Sequence, residues 1–152
     1  MRKNTTLLLT LCAVAALTAT GCGDDPLTPE AQTTKNLRAV AAVPTEGGLL
    51  GNPESPSALI VFAAPDDLRF ATFVNEALPK LVDEHVEPGR LRIQMRTLAR
   101  GQDDSLQLAR ILQAAGLQGK LWAAAGFIAA HYVGIIDDTF RAELVAAVPG
   151  LD

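Results

Sequence analysis

A continuous apolar run, Ser57-Ala58-Leu59-Ile60-Val61-Phe62-Ala63, is bounded by Pro56 and Pro65. A run of this length between turn residues reads as a strand buried on both faces. Pro65 suits the entry to a helix, and Asp66 or Asp67 offers an N-cap or a first-turn charge. Phe70, Phe73, Val74, Ala77, Leu78, Leu81 and Val82 then recur at three- and four-residue steps, which is a helical stripe. Pro79 lies inside the stripe, removes one backbone donor and predicts a kink. Pro88-Gly89 ends the segment. Leu91 to Leu98 alternates apolar and polar residues, a strand by period, with Arg92 and Arg96 on a face expected to be wet or near a sheet edge. Strand, helix and strand in this order predict a parallel pair with a right-handed crossover, and therefore an α/β class.

The remainder is predicted helical. Asp103-Asp104-Ser105 starts one segment, with Leu106, Leu108, Ala109, Leu112 and Ala115 on its apolar side, stopped near Gly116 or Gly119. Lys120 to Val133 is Ala-rich and carries Leu121, Trp122, Phe127, Ile128 and Tyr132. Asp137-Asp138-Thr139 caps Phe140 to Val148, and Pro149-Gly150 ends that helix. Leu121 to Ile136 is apolar but short of the roughly 20 residues a membrane span needs, so it reads as part of a packed helix pair. With 152 residues the chain suits one domain, and 49% hydrophobic residues argue against full disorder.

The N-terminus reads as an address. Arg2 and Lys3 form a positive region, and Leu7 to Leu17 a short apolar one. Thr18-Ala19-Thr20-Gly21-Cys22 follows and resembles the lipobox of bacterial lipoproteins. The resemblance implies cleavage before Cys22, thioether lipidation of Cys22, and a body held outside the cytoplasm by membrane lipid. The alternative is an ordinary small-residue cleavage site with a cysteine nearby. Loss of residues 1–21 removes two cations and no acid, taking the net charge from −4 to −6. The expected division is a signal peptide over 1–21, a lipidated and flexible tether over 22–56, and a folded body over 57–152. The tether is punctuated by Pro26, Pro29, Pro44, Gly47, Gly48, Gly51, Pro53 and Pro56, and shows no apolar period beyond Leu37–Val43.

Both cysteines, Cys12 and Cys22, precede the body. This excludes a disulfide framework, a cysteine zinc site and a cysteine nucleophile there. An acidic chain without a Lys/Arg cluster is a poor partner for nucleic acid. The pairs Asp66-Asp67, Asp103-Asp104 and Asp137-Asp138 each stand at a predicted helix start, where carboxylates cap and complement the dipole. No metal or cofactor is expected. His85 and His131 lack a helical partner at i,i+4, so a solvated His85 and a partly buried His131 are expected. Ser57 and Ser105 lack a nucleophile-elbow glycine pattern. Trp122 and Phe127 read as core or groove residues.

Gly51-Asn52-Pro53-Glu54-Ser55-Pro56 before an apolar strand, a long Pro-bearing helix, a second strand after Pro88-Gly89-Arg90, and the Lys120-Leu121-Trp122 segment together resemble the DsbA-like branch of the thioredoxin fold. These proteins are disulfide oxidoreductases of the bacterial envelope. The resemblance covers roughly residues 47–152 and implies a thioredoxin-like α/β fold with a helical insertion. It also implies a Cys-Pro-x-Cys motif at the start of the long helix. Asp67, Leu68, Arg69 and Phe70 occupy those positions, so no catalytic residue carries over. Thiol–disulfide exchange needs a thiolate at the helix start and a second thiol to resolve the mixed disulfide. A carboxylate forms no such bond.

The family's closing strands would follow Asp152, so the resemblance also implies an incomplete sheet with one edge of the first strand open. The expectation is a membrane-tethered, extracytoplasmic, redox-inactive DsbA-like lipoprotein. The competing readings are an oxidoreductase relative with residual or partner-dependent activity, and an interaction module whose open edge a partner protein completes by strand addition.

Overall fold

A computed structural model describes residues 26–101 and 103–152. The expected signal segment and Cys22 lie outside the described residues. The chain begins with α1 (Pro29–Ala41), followed by the short strands β1 (Thr45–Glu46) and β2 (Leu49–Leu50) and then by β3 (Ser57–Ala63). A composite helix comes next: α2 (Leu68–Thr72), a π-helical turn (Phe73–Ala77), α3 (Leu78–Leu81) and a second π-helical turn (Val82–Val86). The chain continues through β4 (Leu91–Thr97), α4 (Asp103–Leu117), α5 (Leu121–His131) and α6 (Asp138–Ala147).

The four strands form one mixed sheet in the order β1-β2-β4-β3. β3 and β4 are parallel, from Ser57 opposite Leu91 to Ala63 opposite Thr97, as the strand–helix–strand pattern requires. β2 pairs antiparallel with β4, and β1 with β2. The β1–β2 turn is Gly47-Gly48, with Gly47 at a φ of +54°, a conformation that favours glycine.

Three expectations need correction. The segment 22–56 is no simple tether, because residues 29–50 carry α1 and a hairpin. Thr28 caps α1 through its Oγ1, which accepts from the Ala31 N–H at 3.3 Å, and Pro29 opens the helix. α1 buries Thr33, Asn36 and Val40. Two of these are polar, so the buried face carries no apolar period to read.

Next, β3 is not buried on both faces. It is the terminal strand, and Ile60 and Phe62 are 56% and 67% exposed. Leu59 and Val61 point the other way, in register with the buried Ile93 and Met95 of β4.

Finally, the helix of the Pro79 stripe is interrupted by two π turns. Pro79 has no N–H to give to the carbonyl of Asn75 four residues earlier. The Leu78 N–H closes a wider turn onto the Phe73 carbonyl. The Asn75 carbonyl instead accepts from Gln32 Nε2 at 3.2 Å and Lys35 Nζ at 3.4 Å, both on α1. A local defect thus becomes a tertiary contact, and leaves no orphaned acceptor there.

The core lies between the inner sheet face and the helices. Val74, Leu78 and Val82 meet Ile93, Leu108, Leu112, Trp122, Phe127 and Ile128 there. Trp122 and Phe127 are core residues, and the Trp122 indole donates to the Gly48 carbonyl at 3.2 Å. α5 packs against α1 across Gly126, where an added Cβ would stand 2.9 Å from Asn36 Cβ. Only glycine lets the two helices come this close. No described helix is long and apolar enough to cross a membrane.

Candidate functional site

The carboxyl ends of parallel strands are where open α/β sheets gather functional groups. Here the β3–α2 turn contributes Asp66 and Asp67, the loop after β4 contributes Arg100, and α4 contributes Ser105. The Arg100 guanidinium reaches both carboxylates: Nη2 donates to Asp66 Oδ2 at 2.8 Å and Nη1 to Asp67 Oδ2 at 2.9 Å. Ser105 is fully buried. Its hydroxyl donates to Asp66 Oδ1 at 3.0 Å and accepts from the Arg100 N–H at 3.0 Å. The remaining oxygen, Asp67 Oδ1, caps α2 by accepting from the Arg69 N–H at 2.8 Å.

All four carboxylate oxygens therefore have a donor. Burial pushes the Asp66 carboxyl up, but hydrogen bonds from Arg100 and Ser105 outweigh it, and the net effect holds it below the usual carboxylate range. Asp66 is an ion at neutral pH, and its side chain is only 6% exposed. An ionised carboxylate with a donor on each oxygen is a poor general acid. The cluster works as a clasp. It joins the β3–α2 turn, the loop after β4 and the first turn of α4.

Asp67, Leu68, Arg69 and Phe70 do stand at the helix start after β3. Asp67 is the cap, Leu68 is 80% exposed, and Phe70 is buried. Beside them a groove of about 400 Å³ lies at the carboxyl end of β3, lined by Val61, Phe62, Phe70, Phe73, Arg69 and Leu98 among others.

The other acidic pairs also sit at helix starts. Asp137 Oδ1 caps α6 by accepting from the Phe140 N–H at 2.8 Å, and Asp103 and Asp104 lie in the first turn of α4. Asp104 meets the Tyr132 hydroxyl at 3.5 Å, and burial, with Asp104 adding to it, pushes that phenol above its ordinary value. His85 is half-exposed, 3.8 Å from Glu84. His131 is partly buried, with Nε2 3.0 Å from Thr33 Oγ1 and its ring stacked on Phe127 at 4.3 Å. Ser57 is exposed at the start of β3, far in role from the buried Ser105.

Sequence reasoning placed the capping aspartates but missed Arg100 as their partner. An arginine three residues beyond β4 and just before a glycine was the available signal.

No protein-family model matches the chain, and neither a curated protein nor a solved structure is significantly similar to it.

Proposed function

We propose that this chain is a membrane-tethered, extracytoplasmic lipoprotein with a DsbA-like, thioredoxin-type domain that performs no thiol chemistry. The observation that carries the reading is the β3–α2 turn. A parallel β3–helix–β4 unit presents residues 67–70 at a helix start, and this is where the family's thiols would stand. Asp67 and Phe70 stand there instead, one tied to Arg100 and one in the core. No cysteine follows residue 22, so nothing in the body can form or resolve a mixed disulfide. Membrane lipid would hold the protein through acyl chains on Cys22, at about 0.8 kcal/mol per buried CH₂.

The exposed edge of β3 favours a binding role for the body over a purely passive one. A terminal strand bearing Ile60 and Phe62 in solvent is a template for another chain.

The test has two readouts on the full chain expressed in a bacterium. Mass spectrometry of the N-terminal peptide should find diacylglyceryl on Cys22, with residues 1–21 removed. Insulin reduction by the purified protein should not exceed the buffer rate. An unmodified Cys22 would remove the lipoprotein reading, and turnover of insulin would remove the redox-inactive one.

A further inference from the structure

We infer that the free edge of β3 receives an extended acidic–apolar segment of a partner protein, which adds as an antiparallel fifth strand. The inference rests on the binding role proposed above, and on neither the lipid anchor nor the thioredoxin-type assignment.

β3 is seven residues long and, among the described residues, hydrogen-bonds to β4 on one side only. Its other side offers backbone donors and acceptors without a strand partner. Antiparallel pairing is the slightly stronger way to satisfy them. An added strand alternates its side chains between two environments. One set would enter the groove of about 400 Å³, over Val61 and Phe73. That set must be apolar.

The other set would stand on the outer sheet face beside Ile60 and Phe62. In register with those residues on β4 are Gln94 and Arg96, and Arg92 lies opposite Ala58. Among the described residues, no carboxylate lies within ion-pair distance of Arg96. Arg96 is exposed on the outer face. An added strand would lie two strand spacings from β4, about 9.6 Å. A glutamate on it and Arg96 can lean towards each other across Phe62 and span that gap. Carboxylates are therefore the complementary outward residues. Self-pairing of two β3 edges would supply none, because β3 carries no charge.

The experiment titrates the full chain, in detergent, with a labelled seven-residue peptide alternating valine and glutamate. Fluorescence anisotropy should show saturable binding that weakens with salt. A lysine counterpart, and the glutamate peptide on Arg96→Glu protein, should bind about tenfold more weakly or less. Arg96 is exposed, so that variant keeps its core. N-methylation of the peptide amides that face β3 should abolish binding, while methylation of the alternate amides should not.

Absence of binding to folded protein would overturn the inference, and so would equal affinity for the lysine peptide. A dimer that Phe62→Glu dissociates would overturn it in favour of a second copy on the same edge. An unlipidated Cys22 or a redox-active protein would leave the binding result unchanged, so the two readings fail separately.

Discussion

Asn36 Nδ2 donates to Asn75 Oδ1 at 2.7 Å, and so joins α1 to the π turn that precedes Pro79. The same amide nitrogen donates to the Gly126 carbonyl at 3.1 Å, and Asn36 Oδ1 accepts from Gln32 at 2.9 Å. Asn75 Nδ2 in turn donates to the Ala129 carbonyl at 3.0 Å. Three segments, α1, the π turn and α5, thus meet through two asparagines rather than through an apolar seam. Asn36 is 2% exposed, so its groups have no water to fall back on.

Asn36→Ala therefore leaves buried partners unsatisfied. Loss of about 1–3 kcal/mol is expected. Urea unfolding should show a lower midpoint with an unchanged slope. Hydrogen exchange should quicken first in α1, whose attachment depends on this junction.

Gly126→Ala sets helix propensity against packing. Alanine alone would favour the helix by about 1 kcal/mol. The added Cβ would stand 2.9 Å from Asn36 Cβ, on a buried and already committed side chain. Net destabilisation is expected in thermal unfolding. Because the clash is with a Cβ, Asn36→Gly should relieve it and Asn36→Ala should not.

Pro79→Ala restores an N–H that can serve the Asn75 carbonyl, now held by Gln32 and Lys35. Gln32→Ala should cost less in the Pro79→Ala background than in the native chain. A double-mutant cycle on unfolding free energy reads that coupling; strict additivity would show that the defect and the contact are unrelated.

The Asp66 carboxyl is held below its ordinary value, so its contribution to stability has a defined sign. It is present above the unfolded pKa, near 4, and is lost as pH falls through the folded value. Asp66→Asn should be less stable than the native chain at pH 7. The gap should close progressively below about pH 4. A constant gap across that range would show that the charge on Asp66 plays no part.

Much of the scaffold was legible because it rests on period. The stripe from Phe70 to Val82, the alternation from Leu91 to Met95, and the helices α4 to α6 reached their expected places, although Leu106, expected on the apolar side of α4, and Leu98, expected in the strand, are exposed. Caps were legible too, since Asp67 and Asp137 act within three residues of themselves. α1 escaped because the face it buries holds Thr33 and Asn36, and β1 and β2 are two residues each, too short for any period. The exposure of Ile60 and Phe62 escaped because an apolar run does not say how many neighbours a strand has. Arg100 stands 33 and 34 residues from its aspartates, and the α1 amides 39 to 43 from Asn75. Pairings at such range carry no local signal.

The central claim is that residues 67–70 hold the position of a thioredoxin-type thiol site from which the thiols are missing. Restoring them tests it most directly. The double variant Asp67→Cys, Phe70→Cys is checked for folding by circular dichroism, oxidised with glutathione, and assayed for insulin reduction. The account predicts an intramolecular disulfide between positions 67 and 70, and insulin turnover that the native chain lacks. A folded variant that forms no such disulfide, or forms it and turns over no insulin, would contradict the account.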